Sequence, residues 1–405
     1  MSDNIEYPLP LSQTWTASAN LTAPIEGLKL DIPGRVFVKH NASLDTPARV
    51  LVLSDTAEII NAIQWRVDQP VFSLGPVLEA KLFVPRNERL DVTGSLLIEV
   101  TVREPLSRIA TSAETVVQEG SLLNGPADFV SVRSDDAANV YVTYSSPIEL
   151  AGLDLKSNDD GSVQLKSPSI KVVGEFKLKS NDNGAVAVQA DNIAAATITS
   201  TANDGSAVYL TATNLIEATH LHSNADDRGS INIYPHGVCQ EGAVRVADSG
   251  RVNVGSVICQ TVDARLADAS FAIVQAVQSL STKVTDGGHV QYFNSTPTLL
   301  PVARGRHKKP SQATLTTENK FDEFKFQSIP AYEPVGVSIH IGRYGNVYIE
   351  SFESHAKTTT ALAATSTLAA GFEGGLVLAA ICVVAIIGFV LLKHRRRAEY
   401  QPLLH

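Results

Sequence analysis

The stretch Asn158-Asp159-Asp160-Gly161-Ser162-Val163 returns down the chain every 21–23 residues. It recurs as Asn181-Asp182-Asn183-Gly184-Ala185-Val186 and as Asn203-Asp204-Gly205-Ser206-Ala207-Val208. Asp226-Asp227-Arg228-Gly229-Ser230-Ile231 and Asp248-Ser249-Gly250-Arg251-Val252 follow. Looser copies precede it at Asp135–Val140 and follow it, more closely spaced, at Asp268–Ile273 and Asp286–Val290. A near-constant period of this size is the mark of a stacked repeat.

Each unit has one internal order. Alternating residues such as Leu153-Asp154-Leu155-Lys156-Ser157 lead into the turn, and Val163-Gln164-Leu165-Lys166 lead out. A less regular turn and a third apolar stretch, such as Ile170-Lys171-Val172-Val173, complete the unit. Period-two alternation predicts half-buried strands. Glycine is expected to supply positive φ in the turn, with Asn and Asp bonding back to the backbone. Strands this short bury a face only when each unit stacks on the next, about 4.8 Å away. The expected product is an all-β chain, a parallel β-solenoid with Val, Leu and Ile inside. No stretch of the repeat keeps a helical period. An immunoglobulin-like sandwich would leave the fixed spacing of the turn unexplained.

At 405 residues and 44% hydrophobic, the chain can hold one large or two small domains. Residues 1–27 read as an irregular N-terminal segment and 28–300 as the solenoid domain, with 28–105 starting or capping it. Residues 301–334 contain Arg304-Gly305-Arg306-His307-Lys308-Lys309-Pro310 and read as an exposed basic, Pro-containing loop. Residues 335–355 read as a closing hairpin and 356–373 as an Ala/Thr-rich stalk.

Gly374 to Leu392 is an apolar run with no charge, matching the ~20 helical residues that span a bilayer. It predicts a C-terminal transmembrane α-helix, which contains Cys382. Lys393-His394-Arg395-Arg396-Arg397 follows at once, so the basic tail 393–405 is expected in the cytosol and residues 1–373 outside or in a lumen. Met1–Glu6 shows neither a basic n-region nor an apolar h-region, so a tail-anchored scaffold facing the cytosol stands as an alternative. Sequons at Asn20, Asn41 and Asn294 are candidate N-glycosylation sites and fit the lumenal side. The tail offers Tyr-x-x-apolar at Tyr400–Leu403 and an acidic dileucine at Glu399 with Leu403 and Leu404, both patterns that sorting adaptors read. The expected location is the plasma membrane or an endolysosomal membrane.

Candidate chemistry is sparse. Cys239 and Cys259 lie 20 residues apart, close to one repeat, so stacking places them on neighbouring coils, as a disulfide or as two reduced core thiols. His220-Leu221-His222 puts two imidazoles on one face of a strand near Asp226, Asp227 and His236, but no spacing there is diagnostic of a metal. Asp159 or Asp160, Asp182, Asp204 and Asp226 or Asp227 are expected to align in a column of turn residues. A polysaccharide-cleaving β-helix would need carboxylates converging in a groove. Acids spent on every turn suit structure better. A net charge of −9 weighs against nucleic acid, and no cofactor motif is present.

Residues 28–293 resemble the adhesin families, in particular the auto-transporter adhesin head (GIN) domain. The likeness rests on the Ser/Asn-Asx-x-Gly-x-Val turns, on Arg103-Glu104-Pro105-Leu106-Ser107-Arg108-Ile109, and on Thr285-Asp286-Gly287-Gly288-His289-Val290-Gln291-Tyr292. Against the family's closing pattern, His289 replaces an acid, Asn294 replaces a glycine, and Pro297 comes one place late. The resemblance implies a single-stranded right-handed β-helix without catalytic residues. The resulting expectation is a single-pass membrane glycoprotein that binds a protein or glycan ligand, or mediates adhesion, without catalysis.

Overall fold

The computed structural model describes residues 11–18, 23–68, 75–82, 89–300, 313–341 and 347–352. These residues form a β-solenoid of about nine coils. The stalk, the apolar run 374–392, the tail and Asn20 lie outside the described residues. Among the described residues, no helix is long and apolar enough to cross a membrane.

Each coil contributes to three parallel sheets. The first contains Gly27–Asp31, Arg108–Thr111, Phe129–Ser134 and Gly152–Ser157, continued by the final parts of the later strands. The Asx turn leads to the second, where Val140, Val163, Val186, Val208 and Ile231 stack in register. The third begins with Ile148–Leu150 and stacks Ile148, Ile170, Ile193 and Ile216. From Ala185 onward a single strand, such as Ala185–Ala202 or Ala207–Ala225, runs through all three faces. Its register shifts mark the corners, for example between Ala190 and Asn192. The irregular second turn of the sequence is therefore a bend within a strand.

Alternation decides what lies inside. In one coil Val163, Leu165, Ile170, Val172, Phe176 and Leu178 are all buried. Burying each such side chain contributes roughly 1.5–3 kcal/mol, which the coil gains only with neighbours above and below.

The N-terminal end is built out of chain order. Gly27–Asp31 lies between Val77–Leu82 and Arg108–Thr111, and Arg35–His40 lies between Leu97–Val102 and Glu114–Val117. The coil made by residues 27–40 is thus second in the stack, and the later residues 77–102 form the end coil. Antiparallel strands then finish the exposed edges. Ile63–Asp68 pairs with Val77–Leu82, Ala48–Ser54 with residues 96–102, and Leu11–Thr16 with Ala48–Ser54. Ending a parallel stack in short antiparallel strands blunts the edge that would otherwise template another chain. The 28–105 region therefore both starts and caps the solenoid.

The hairpin of Val335–Ile341 and Val347–Phe352 forms at this same end, far in sequence from the strand it joins. Val335–Ile341 pairs antiparallel with residues 90–96. To reach it, the chain leaves Thr314–Thr316 on the last coil and travels back along the second face. The segment expected as an exposed loop is, over its described part, a packed strap. Its aromatic residues explain the difference: a run holding Phe321, Phe324, Phe326 and Tyr332 gains by covering a face.

Candidate binding surface

The turns set the geometry of every coil. Asp136, Asp159, Asp182, Asp204, Asp227, Asp248, Asp268 and Asp286 all have φ between 52° and 58°. The left-handed residue is therefore aspartate, not the glycine expected from sequence; Gly287 in the last turn is positive as well. Asp tolerates this region because its short side chain bonds locally. The repeat glycine is needed for space instead. A Cβ on Gly184 would lie 2.8 Å from Ser157 Oγ and 3.0 Å from the Asp159 carbonyl of the preceding coil.

One residue before each aspartate, amides stack into a ladder. Asn158 Nδ2 donates to Asp135 at 2.7 Å, Asn181 Nδ2 to Asn158 Oδ1 at 2.7 Å, and Asn203 Nδ2 to Asn181 Oδ1 at 3.0 Å. Farther along, Asp226 takes this position. Burial, together with a hydrogen bond to Asp226 and its charge, holds the Asp248 carboxyl above its ordinary value.

The second face is roofed by the strap. Its outward column runs Val116, Tyr141, Gln164, Ala187, Tyr209, Asn232, Asn253. Asn253 Nδ2 donates to the Lys320 carbonyl at 2.7 Å, and the Asp322 N–H donates to Asn232 Oδ1 at 3.1 Å. Phe321 stacks on Tyr234 with centroids 4.2 Å apart, and Phe324 packs on Tyr209. Lys166 sits over the Phe326 ring at 4.5 Å. Tyr332 packs on Phe37 and donates to Glu99 at 2.7 Å. Beneath residues 327–334 a polar cavity of about 710 Å³ remains. There Arg35 Nε meets Glu114 at 2.6 Å, and its Nη1 donates to the carbonyls of Ala331 and Glu333.

The first face is polar, and among the described residues no segment covers it. Its column nearest the turn reads Arg133, Lys156, Lys179, Thr201, Asn224, Arg245, Arg265, Lys283, one residue per coil. The next column reads Asp154, Lys177, Thr199, His222, Ala243, Asp263. Burial, with Arg133 and Lys179 close by, pushes the Lys156 pKa down. Burial also raises that of Asp154, against the pull of Lys177 and Lys156.

The third face near the C-terminal coils exposes Leu215, Val238, Ile258 and Val277. Behind Val238 and Ile258, Cys239 and Cys259 are register partners with Cα atoms 4.3 Å apart, joined as a disulfide. His220 and His222 project from the first face with rings 6.2 Å apart, and His220 faces Glu241 at 3.4 Å. Among the described residues, no group of three His, Cys, Asp or Glu is placed to hold a metal. Asn41 and Asn294 are both exposed. Glu399, Tyr400, Leu403 and Leu404 fall outside the described residues. The strap is the element that sequence reasoning missed. The signal was present in its aromatics, which recur at short intervals in a stretch taken for a loop.

No family model matches the chain, and no curated protein matches it. Several solved structures do. One from Parabacteroides distasonis, provisionally named an adhesin, is 11% identical, with TM-score 0.38, covering 70% of this chain and 96% of its own. One from Parabacteroides merdae, also provisionally named an adhesin, is 12% identical, with TM-score 0.38, covering 70% and 95%. A third from P. distasonis, provisionally named a lipid-binding protein, is 13% identical, with TM-score 0.32, covering 75% and 93%.

Proposed function

We propose that this chain is a single-pass membrane protein that displays a β-solenoid for adhesion or ligand binding. The observation that carries the binding role is the contrast between two faces. The second is filled by the chain's own strap, while among the described residues no segment covers the first, which repeats an outward side chain at every coil. A regular polar face that no described segment covers is a surface for an extended partner. The apolar run 374–392 and the basic residues from Lys393 support membrane anchoring with a cytosolic tail. Glu399, Tyr400, Leu403 and Leu404 would then face adaptors that sort the protein between the plasma membrane and endolysosomes.

A polysaccharide-cleaving role has less support. Asp226 and Asp248, whose carboxyls interact across neighbouring coils, both sit on exposed turns, where the repeat uses its acids.

The test is to express the full chain in cells and score adhesion to matrix-coated surfaces, with protease protection and a glycosidase shift at Asn41 and Asn294. The proposal expects protection, a shift and increased adhesion. Complete protease digestion from the cytosolic side, or adhesion equal to that of control cells, contradicts it.

A further inference from the structure

Only part of the cation column on the first face is neutralised by ion pairs. Lys29, Ala110 and Arg133 continue it toward the N-terminal end. From Arg133 to Lys283 the column has a cation or a neutral polar side chain at every coil and an acid at none. Arg133 pairs with Asp135 and Arg265 with Asp263, each two residues away in sequence. Lys156, Lys179, Arg245 and Lys283 have no ion-pair partner among the described residues. Like charges stacked directly opposite one another in a sheet repel. A chain of net charge −9 has no shortage of acids with which to interrupt such a column. Toward the C-terminal end the column borders a groove of about 490 Å³, lined by Asn224, Arg245, Arg265 and Lys283, with Asp226 on its turn side.

We propose that this column is a linear track for an acidic polysaccharide, one bearing carboxylates or sulfates along its length. The inference rests on the reading of the first face as the binding surface and names the ligand class for it. At about 4.8 Å per coil the track is roughly 34 Å long. A 1,4-linked pyranose advances by about one coil spacing, so a charge on every ring or every second ring stays in step with the cations. Thr201 and Asn224, at the middle of the column, offer neutral partners for sugar hydroxyls. An extended peptide presents like-facing side chains about 6.6 Å apart, out of step with the ladder. Duplex nucleic acid carries a charge about every 1.7 Å, a density that an acidic protein disfavours. An anionic membrane pressed on the whole face would meet Asp154, Glu175, Glu241 and Asp263 beside the track, whereas a narrow chain does not.

The test measures binding of the full chain in detergent to a heparin-type sulfated glycan, to polygalacturonate and to neutral dextran across a salt series. The variant combines Lys156→Gln, Lys179→Gln, Arg245→Gln and Lys283→Gln, with Lys171→Gln on the third face as control. Binding to at least one acidic glycan and not to dextran is expected. The combined variant should bind about tenfold or more weakly, with the salt slope flattened by roughly one for each contacting cation removed. Because it relieves repulsion, its thermal midpoint should be no lower than that of the parent chain, which separates lost binding from lost fold. Absence of binding to either acidic glycan at low salt, or equal binding by the combined variant, overturns the proposal. Tighter binding of duplex DNA, lost in the same variant, also overturns it. If the combined variant adheres like the parent while a glycan installed on the first face abolishes adhesion, the track falls and the binding face stands. If neither changes adhesion, both fall.

Discussion

The backbone N–H of Gln327 donates to Gln164 Oε1 at 3.0 Å, and Tyr141 donates to Gln327 Oε1 at 2.7 Å. Gln327 thus bridges two adjacent coils from 163 residues away. Gln164 is buried, because the strap replaces the water that its outward position would otherwise meet. The solenoid's side chains, not a further strand, receive the strap's backbone amides here.

Removing a strap anchor should loosen the strap without unfolding the coils. Phe321→Ala is expected to lower stability by about 1–2 kcal/mol, from lost stacking on Tyr234 and lost burial. Amide exchange should quicken at residues 319–327 and stay slow in the core strands. Uniform acceleration across the coils would show that the strap and solenoid form one cooperative unit.

The turn assignment can be tested by exchanging the roles of two residues. Gly184→Ala is expected to lose about 1–3 kcal/mol, since the new methyl meets Ser157 Oγ and the Asp159 carbonyl. Asp182→Gly, at φ 56°, should change stability by about 0.5 kcal/mol or less. Comparable denaturation midpoints for the two variants would contradict the division of labour.

Asn181 sits mid-ladder, donating to Asn158 and accepting from Asn203. Asn181→Asp keeps the acceptor and loses the donor, so at neutral pH it should cost about 1–2 kcal/mol in urea unfolding. An unchanged midpoint would mean the amide ladder is not a source of stability.

Glu79 links stability to pH. Its burial raises the pKa, but hydrogen bonds from Lys81, Arg66 and Lys29 outweigh that and hold it at about 2. The folded value lies below the unfolded one, so the contribution is complete above pH 4.5 and fades as pH falls toward 2. Because the three cations are part-exposed, Glu79→Gln should cost only about 1 kcal/mol at pH 7. The variant should also flatten the acid limb of the stability curve. Parallel acid limbs in the two proteins would remove Glu79 from the account.

The central solenoid was legible because its information is local. Asp159, Asp182 and Asp204 each declare a turn, and alternation such as Val163-Gln164-Leu165 declares which side is inside. The same spacing brought Cys239 and Cys259 into register. The pairing of Val335–Ile341 with residues 90–96 left no such trace. Neither did the placement of residues 27–40 as the second coil, because both depend on contacts distant in sequence. The turn chemistry was misread, since glycine and aspartate both accept positive φ and only the packing of adjacent coils separates them. The cation column is visible only after the register is known, when Lys156, Lys179 and Arg245 fall into line.

The most direct test of the account places a bulky glycan on one face at a time. Thr199→Asn creates a sequon on the first face, with Ser200 and Thr201 following, and Ala194→Thr completes one at Asn192 on the third face. The measurement is adhesion of cells expressing each full-length variant, with occupancy read from the glycosidase shift. The account predicts that an occupied first-face glycan abolishes adhesion while the third-face glycan leaves it intact. Full adhesion with the first face occupied would contradict it.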